Sequence, residues 1–279
     1  MEPQVCTSSI RPENYRILQQ SVYTHAGIVL EGNKEYLFEG RLGPLVKELG
    51  LGSINDLCGV LQSGNGSSHS LGQMVAEAMT TNETFFFREP LHYDVIRKVL
   101  LPKLRQDRAD TKKLRFWSAA CSTGQEAYSL AMLLHEQGFQ DWNVDILGTD
   151  YSPKVVERAK SGQYQQLEVN RGLPAPMMIK HFKRSGIHWE LSPTVRKMAR
   201  FQTGDLRQSM RTFGPFDLVF CRNVMIYFDV ETKMKILRQI HGTLFRGGWL
   251  LLGGAETSID LNECFDKQRI EGVTVYVAR

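Results

Sequence analysis

Apolar residues change their spacing part-way along the chain. Early on the period is helical, with Tyr15, Leu18, Val22 and Tyr23 on one face and Leu37, Leu42, Leu45, Val46 and Leu49 on another. From Leu114 onward, short apolar runs alternate with helical stretches. Leu114 to Ala119, Val144 to Asp150, Phe216 to Cys221 and Trp249 to Gly253 read as buried strands with helices between them. That alternation predicts an α/β doubly wound sheet preceded by a small all-α domain. Small and polar residues from Ser63 to Ser70 predict a loop, and the join falls at 70 to 90; the domains are taken as 1–80 and 81–279. Between Gly162 and Gln202 the alternation breaks. Prolines at 174 and 176 and a strand-turn-strand pattern from Arg184 to Ser192 predict a small inserted β subdomain over about 162–202, because long structureless loops are uncommon inside compact domains.

The most informative run is Phe116 to Ser129, answered by Ile146-Leu-Gly-Thr-Asp150. It reads as strand, small-residue turn (Cys121 to Gly124), helix and a second strand tipped with an acid. Such parallel units bind nucleotides at the carboxyl ends of their strands. The turn has one glycine and no lysine, unlike a dinucleotide fingerprint or a P-loop, and Glu126 just inside the helix would repel phosphate. A phosphate-free, positively charged adenosine derivative fits better: S-adenosylmethionine, its ribose hydroxyls donating to Asp150. The plainer alternative is a turn glycine, a helix-dipole carboxylate and a solvated strand end.

Composition narrows the setting. The 279 residues can bury a sizeable core. Five scattered cysteines (Cys6, Cys58, Cys121, Cys221, Cys264) lack zinc-ligand spacing, so a reduced, cytoplasmic protein without a metal is expected. No run suits a signal peptide or a membrane span, so no direct membrane insertion is expected. The net charge of +4 is uneven: Arg97 to Arg115 and Lys180 to Arg211 each hold eight lysines and arginines against two acids. Those stretches suit an acidic partner, nucleic acid or protein, or are simply solvated faces.

Four segments together resemble one family: Thr81-Asn-Glu-Thr-Phe-Phe-Phe-Arg-Glu-Pro90, Trp117-Ser-Ala-Ala-Cys-Ser-Thr-Gly-Gln-Glu126, Gly148-Thr-Asp150 and Phe220-Cys-Arg-Asn-Val-Met-Ile-Tyr-Phe-Asp229. They are similar to the motifs of the bacterial chemotaxis receptor methyltransferases, the CheR family, over nearly the whole chain. The resemblance implies a Rossmann-like methyltransferase sheet. It implies that S-adenosylmethionine methylates glutamate side chains of chemoreceptor cytoplasmic helical bundles, giving methyl esters and S-adenosylhomocysteine. A monomer without a nucleic-acid partner is expected.

Carried across, the pattern places Asn82, Thr84 and Arg88 against the cofactor, with Arg88 facing the transfer site. Glu126 and Asp150 hold the amino-acid end and the ribose, and Asp205 and Leu206 border the adenine. Arg222 and Asn223 complete the cofactor contacts at a strand end, and Tyr227 lies near the reacting methyl, so that Arg88 and Tyr227 form the catalytic pair. Taken singly, Arg88 could be a surface ion pair, Asn82 a helix cap and Tyr227 a core aromatic. Two departures stand out: the N-terminal part lacks a strongly basic helix, and the hairpin at Ser185-Gly-Ile-His188 is short for gripping a receptor tail. A base methyltransferase reading meets an obstacle at Asn223-Val-Met-Ile-Tyr227, which lacks the prolines of the usual base-binding motif. A catalytically silent cofactor-binding scaffold is the alternative of another class.

Overall fold

The computed structural model describes residues 10–32, 34–63, 67–256, 261 and 263–279. The chain divides into two compact units, one comprising Met1–Thr81 with Tyr227–Val230, the other Asn82–Ile226 with Glu231–Arg279.

The first unit contains α1 (Pro12–Ala26), α2 (Glu35–Glu48), α3 (Ile54–Gln62) and α4 (Ser67–Ala78). Its buried stripe on α1 is Asn14, Leu18, Val22 and Ala26, spaced at i+4, and on α2 it is Phe38, Leu42, Leu45 and Val46. The expected faces are therefore displaced: Tyr23 is 44% exposed and Leu49 39%, while Ala26 and Phe38 take the inward positions. Tyr23 instead donates its hydroxyl to Asp229 Oδ2 at 2.9 Å. The loop expected over Ser63 to Ser70 also ends early. Ser67 already begins α4, and residues 64–66 lie outside the described ones.

In the second unit, α5 (Pro90–Val95) passes through a π-turn (Ile96–Leu100) into α6 (Leu101–Asp107). Then follow β1 (Lys113–Ala119), α7 (Gln125–Glu136), β2 (Asn143–Asp150) and α8 (Pro153–Ser161). The insert contains β3 (Gln163–Gln165), α9 (Gln166–Asn170), α10 (Ala175–His181), β4 (Phe182–Ser185), β5 (His188–Leu191) and α11 (Pro193–Arg196). The chain returns through β6 (Ala199–Thr203), β7 (Phe216–Cys221), α12 (Val230–His241), β8 (Leu244–Leu252), β9 (Phe265–Ile270) and β10 (Val273–Ala278). No helix among the described residues is long and apolar enough to cross a membrane.

The main sheet runs β6-β2-β1-β7-β8-β10-β9. β6, β2, β1, β7 and β8 are parallel, and β10 pairs antiparallel with both β8 and β9. This is the doubly wound sheet the alternation predicts. The chain leaves β1 toward β2 on one side and meets β7 on the other, so the strand order reverses at β1 and a crevice opens at its carboxyl end. β7 is buried along its full length, and α7 is buried at every position from Ala127 to Leu134, as a helix covering a parallel sheet requires. Gly148 lets the Phe201 ring lie against β2; a Cβ there would come within 2.4 Å of that ring. In the insert, β5 lies between β3 and β4, and a two-residue turn at Gly186 (φ 60°) and Ile187 closes the hairpin. Tyr164, fully buried, donates its hydroxyl to the Thr123 carbonyl at 2.9 Å, fastening the insert to the turn after β1.

Candidate active site at the carboxyl ends of the strands

The turn leaving β1 is built from left-handed backbone at Ala120 (φ 57°), Ser122 (φ 50°) and Gly124 (φ 91°). It lays backbone amides across the tip of β2. Ser122 N–H donates to Asp150 Oδ2 at 2.8 Å and Ser152 N–H to Asp150 Oδ1 at 3.1 Å, so the carboxylate is held from two sides. Below it, Trp117 Nε1–H donates to Thr149 Oγ1 at 2.9 Å. A carboxylate accepts several donors at once, and a vicinal diol supplies two.

Glu126 stands in the first turn of α7. Ser118 Oγ donates to its Oε1 at 2.7 Å, and the Arg222 Nη1–H group donates to its Oε2 at 2.9 Å. Arg222 follows β7 directly, and its side chain is only 1% exposed. Its Nη2 lies 3.4 Å from Glu89 Oε2 and donates to the Arg88 carbonyl. One buried guanidinium thus joins the β7 tip, the α7 start and the 82–89 segment. Burial works against its charge, yet Glu126 and Glu89 raise its pKa above the ordinary value. Glu89 is pulled the other way. Burial alone would raise its carboxyl, but His92, with Nδ1 3.0 Å away, Arg222 and Asn223 bring it down to about 2.

Asn223 (φ 58°) donates its backbone N–H to Glu256 Oε2 at 2.7 Å and its side-chain amide to Glu89 Oε1 at 3.3 Å. Glu256, 3% exposed, also accepts from the N–H groups of Met225 and Gly253 at 2.7 and 2.8 Å, tying the β7 and β8 ends together. In the 82–89 segment, Asn82 offers its carbonyl to Ser122 Oγ at 2.7 Å, and Phe87 (φ 52°) donates its N–H to Ser129 Oγ at 2.9 Å. Arg88, half-buried, donates from Nη1 to the Glu83 carbonyl at 3.1 Å, with its guanidinium 5.6 Å from the centre of the Phe85 ring. Arg171 from the insert pairs with Glu83 and lies 4.5 Å from the same ring.

Asn82, Thr84, Arg88, Glu126, Asp150, Asp205, Leu206, Arg222 and Asn223 all lie in the second unit, whereas Tyr227 falls in the segment grouped with the first. Hydrogen bonds link the Asn82 backbone to the Ser122 turn and thence to Asp150, and Glu126 through Arg222 to the Arg88 backbone and Glu89. Asp205 makes a bidentate pair with Arg207, Oδ2 to Nη2 at 2.6 Å, and Leu206 is buried beside it. Ser118, Ser122, Glu89 and Glu256 were not singled out from sequence. Glu89 was within reach of the argument, because it closes the Thr81 to Pro90 motif as the residue before a helix-starting proline. The thiols are poor nucleophiles: burial pushes Cys121 and Cys221 well above the ordinary range, and nearby carboxylates add to it. Cys58 and Cys264 are free thiols too, and Cys6 lies outside the described residues.

Residues 82–273 match the SAM binding domain of CheR methyltransferase, and residues 13–80 match the CheR methyltransferase all-alpha domain. The chain belongs to the CheR methyltransferase family. Chemotaxis protein methyltransferase 1 of Pseudomonas aeruginosa is 39% identical over 261 residues, 91% of this chain and 93% of that one. Chemotaxis protein methyltransferase Cher2 of Pseudomonas putida is 33% identical over 279 residues, 98% and 99% of the two chains. The Escherichia coli chemotaxis protein methyltransferase is 32% identical, covering 94% and 90%.

S-adenosylmethionine is the cofactor. The residues present suit it: the crevice offers carboxylates fixed by amides and by Arg222, which match a diol and an ammonium, and the β1 turn carries no lysine with which to hold a phosphate.

Proposed function

We propose that this CheR family methyltransferase serves chemotaxis by methylating glutamate carboxylates on the cytoplasmic helical bundles of chemoreceptors, acting in the cytoplasm as a protein-glutamate O-methyltransferase. The observation that carries the reading is the arrangement of carboxylates at the strand ends, Asp150 held by two amides and Glu126 by Arg222 and Ser118, in a chain of this family.

In this reading Asp150 takes the ribose hydroxyls and Glu126 the ammonium of the amino-acid end. Asp205 and Leu206 border the adenine, and Asn82, Thr84 and Asn223 complete the contacts. Arg222 is assigned a positioning role: its two Nη groups hold Glu126, Glu89 and the Arg88 carbonyl and so set the two acids, while its buried Nε–H has no protein partner among the described residues. Bound S-adenosylmethionine supplies a methyl carbon on a positive sulfur, which departs as the neutral thioether. The products would be a glutamate methyl ester on the receptor and S-adenosylhomocysteine, so the protein would have no proton to move. Because a free glutamate has a pKa near 4.3, the nucleophile is already ionised at neutral pH, and the protein has only to orient it. Arg88 is assigned to steady that carboxylate, and Tyr227 to contribute one uncharged hydrogen bond.

Tritiated S-adenosylmethionine incubated with the protein and receptor-bearing membranes tests the assignment. Label released by mild base as methanol identifies a carboxyl ester, whereas base-stable label, or none on receptor, overturns the substrate.

A further inference from the structure

The last turn of α7 carries His135 and Glu136, and α10 of the insert ends on His181. His181 Nε2 lies 2.9 Å from Glu136 Oε1, His135 Nδ1 lies 3.7 Å from the same oxygen, and the three donor atoms all fall within 4.8 Å of one another. Ligands bound at about 2.1 Å in tetrahedral array stand roughly 3.4 Å apart, midway between those two separations. His181 is 2% exposed, and its ring meets that of His135 edge to face at 5.1 Å. His135 Nδ1 is itself buried and has no hydrogen-bond partner.

We propose that His135, Glu136 and His181 form a site for a divalent transition-metal ion, best matched to zinc, that clips the insert to α7. Two imidazoles and one carboxylate are a borderline ligand set suited to Zn²⁺ and ill suited to Mg²⁺ or Ca²⁺. The fourth position is left for water. Lys180 is the competitor: its Nζ stands 2.8 Å from Glu136 Oε1 and 3.0 Å from Oε2, and the ion displaces it. The three ligands come from helices 45 positions apart in sequence, so cysteine spacing could not have revealed them. The clip is separate from the cofactor crevice, though α7 also carries Glu126 at its opposite end.

The test uses the full chain without a histidine tag, titrated with Zn²⁺ against a chromogenic chelator, with Co²⁺ absorption reporting coordination geometry. One equivalent is expected to bind. His135→Gln and His181→Gln should each weaken binding about tenfold or more, while His25→Gln, which alters a different histidine pair, should not. Lys180→Met should tighten binding by removing the competing cation, and because it alters only an exposed side chain it remains informative should His181→Gln fail to fold. No competition with the chelator, an affinity unmoved by His135→Gln, or one weakened by Lys180→Met would overturn the site.

Discussion

Arg222→Met removes the cation shared by Glu126 and Glu89 while keeping an unbranched apolar stem. Breaking a buried ion pair on one side costs about 3–5 kcal/mol, because the partner charges and the Arg88 carbonyl are left behind. Glu89 is 29% exposed and Glu126 14%, so water relieves part of that, and about 3 kcal/mol at neutral pH is the expected loss. The acid side supplies an independent signature. The Glu89 carboxyl is held at about 2 against an ordinary 4.5. A depressed carboxylate contributes stability that is complete above its unfolded pKa and fades as pH falls toward the folded one. For Glu89 the window runs from 4.5 down to about 2. At about pH 3.5 the wild type has given up roughly 1 kcal/mol of that contribution. The variant's Glu89 loses only the part of the depression that Arg222 supplies, since His92 and Asn223 remain beside it, so it has less to give up and the gap narrows on acidification. Urea unfolding followed by tryptophan fluorescence reads the effect, since Trp117, Trp142, Trp189 and Trp249 all belong to the second unit. A gap of under about 1 kcal/mol at pH 7, or one that widens on acidification, refutes the argument.

Asp150→Ala removes charge-assisted hydrogen bonds worth about 1.5–3 kcal/mol, so calorimetric titration should show cofactor affinity falling roughly 10- to 150-fold in a folded protein. Arg88→Ala should lower turnover about a hundredfold with cofactor affinity retained, Tyr227→Phe less, and kcat should stay flat between about pH 6 and 8 because no catalytic base titrates there. Reversing the exposed charges at Lys183, Arg184 and Lys197 should raise KM for receptor at low ionic strength and spare cofactor binding; unchanged kinetics would place docking elsewhere. A receptor tail peptide should bind only weakly by strand addition, since β4 and β5 are four residues each; low-micromolar binding of a fluorescent peptide would overturn that.

The sheet was legible because buried parallel strands are continuous apolar runs, and Phe216–Cys221 is buried at all six positions. β9 was not: Asp266, Lys267, Gln268 and Arg269 are exposed on an edge strand and carry no apolar pattern. On α1 the periodicity was right but the face was off by part of a turn, since Tyr23 puts its ring outward and its hydroxyl on Asp229. Asp150 could be picked out because a strand-tip acid is a local pattern. The tie between Arg222 and Glu126 could not, because its partners are 96 positions apart and meet only once β7 lies beside β1.

Strain explains how the site keeps its shape. Five of the seven described non-glycine residues with positive φ, namely Phe87, Glu89, Ala120, Ser122 and Asn223, fall in the 82–89 segment or at the ends of β1 and β7. Each costs on the order of 1 kcal/mol, and such residues persist only where their surroundings hold them. Three of them show the holding directly. The N–H of Phe87 reaches Ser129 Oγ, that of Ser122 reaches Asp150 and that of Asn223 reaches Glu256, each within 2.9 Å. The left-handed turn is what aims the amide, and the side-chain acceptor is what keeps the turn left-handed. Asp150 and Glu256 are therefore fixed from the backbone side and Glu126 by the side chains of Arg222 and Ser118, so on the proposed assignment little reordering would remain when a diol and an ammonium arrive. The proposed catalysis by orientation alone would depend on that, because a loosely held acid would return part of the alignment gained on binding.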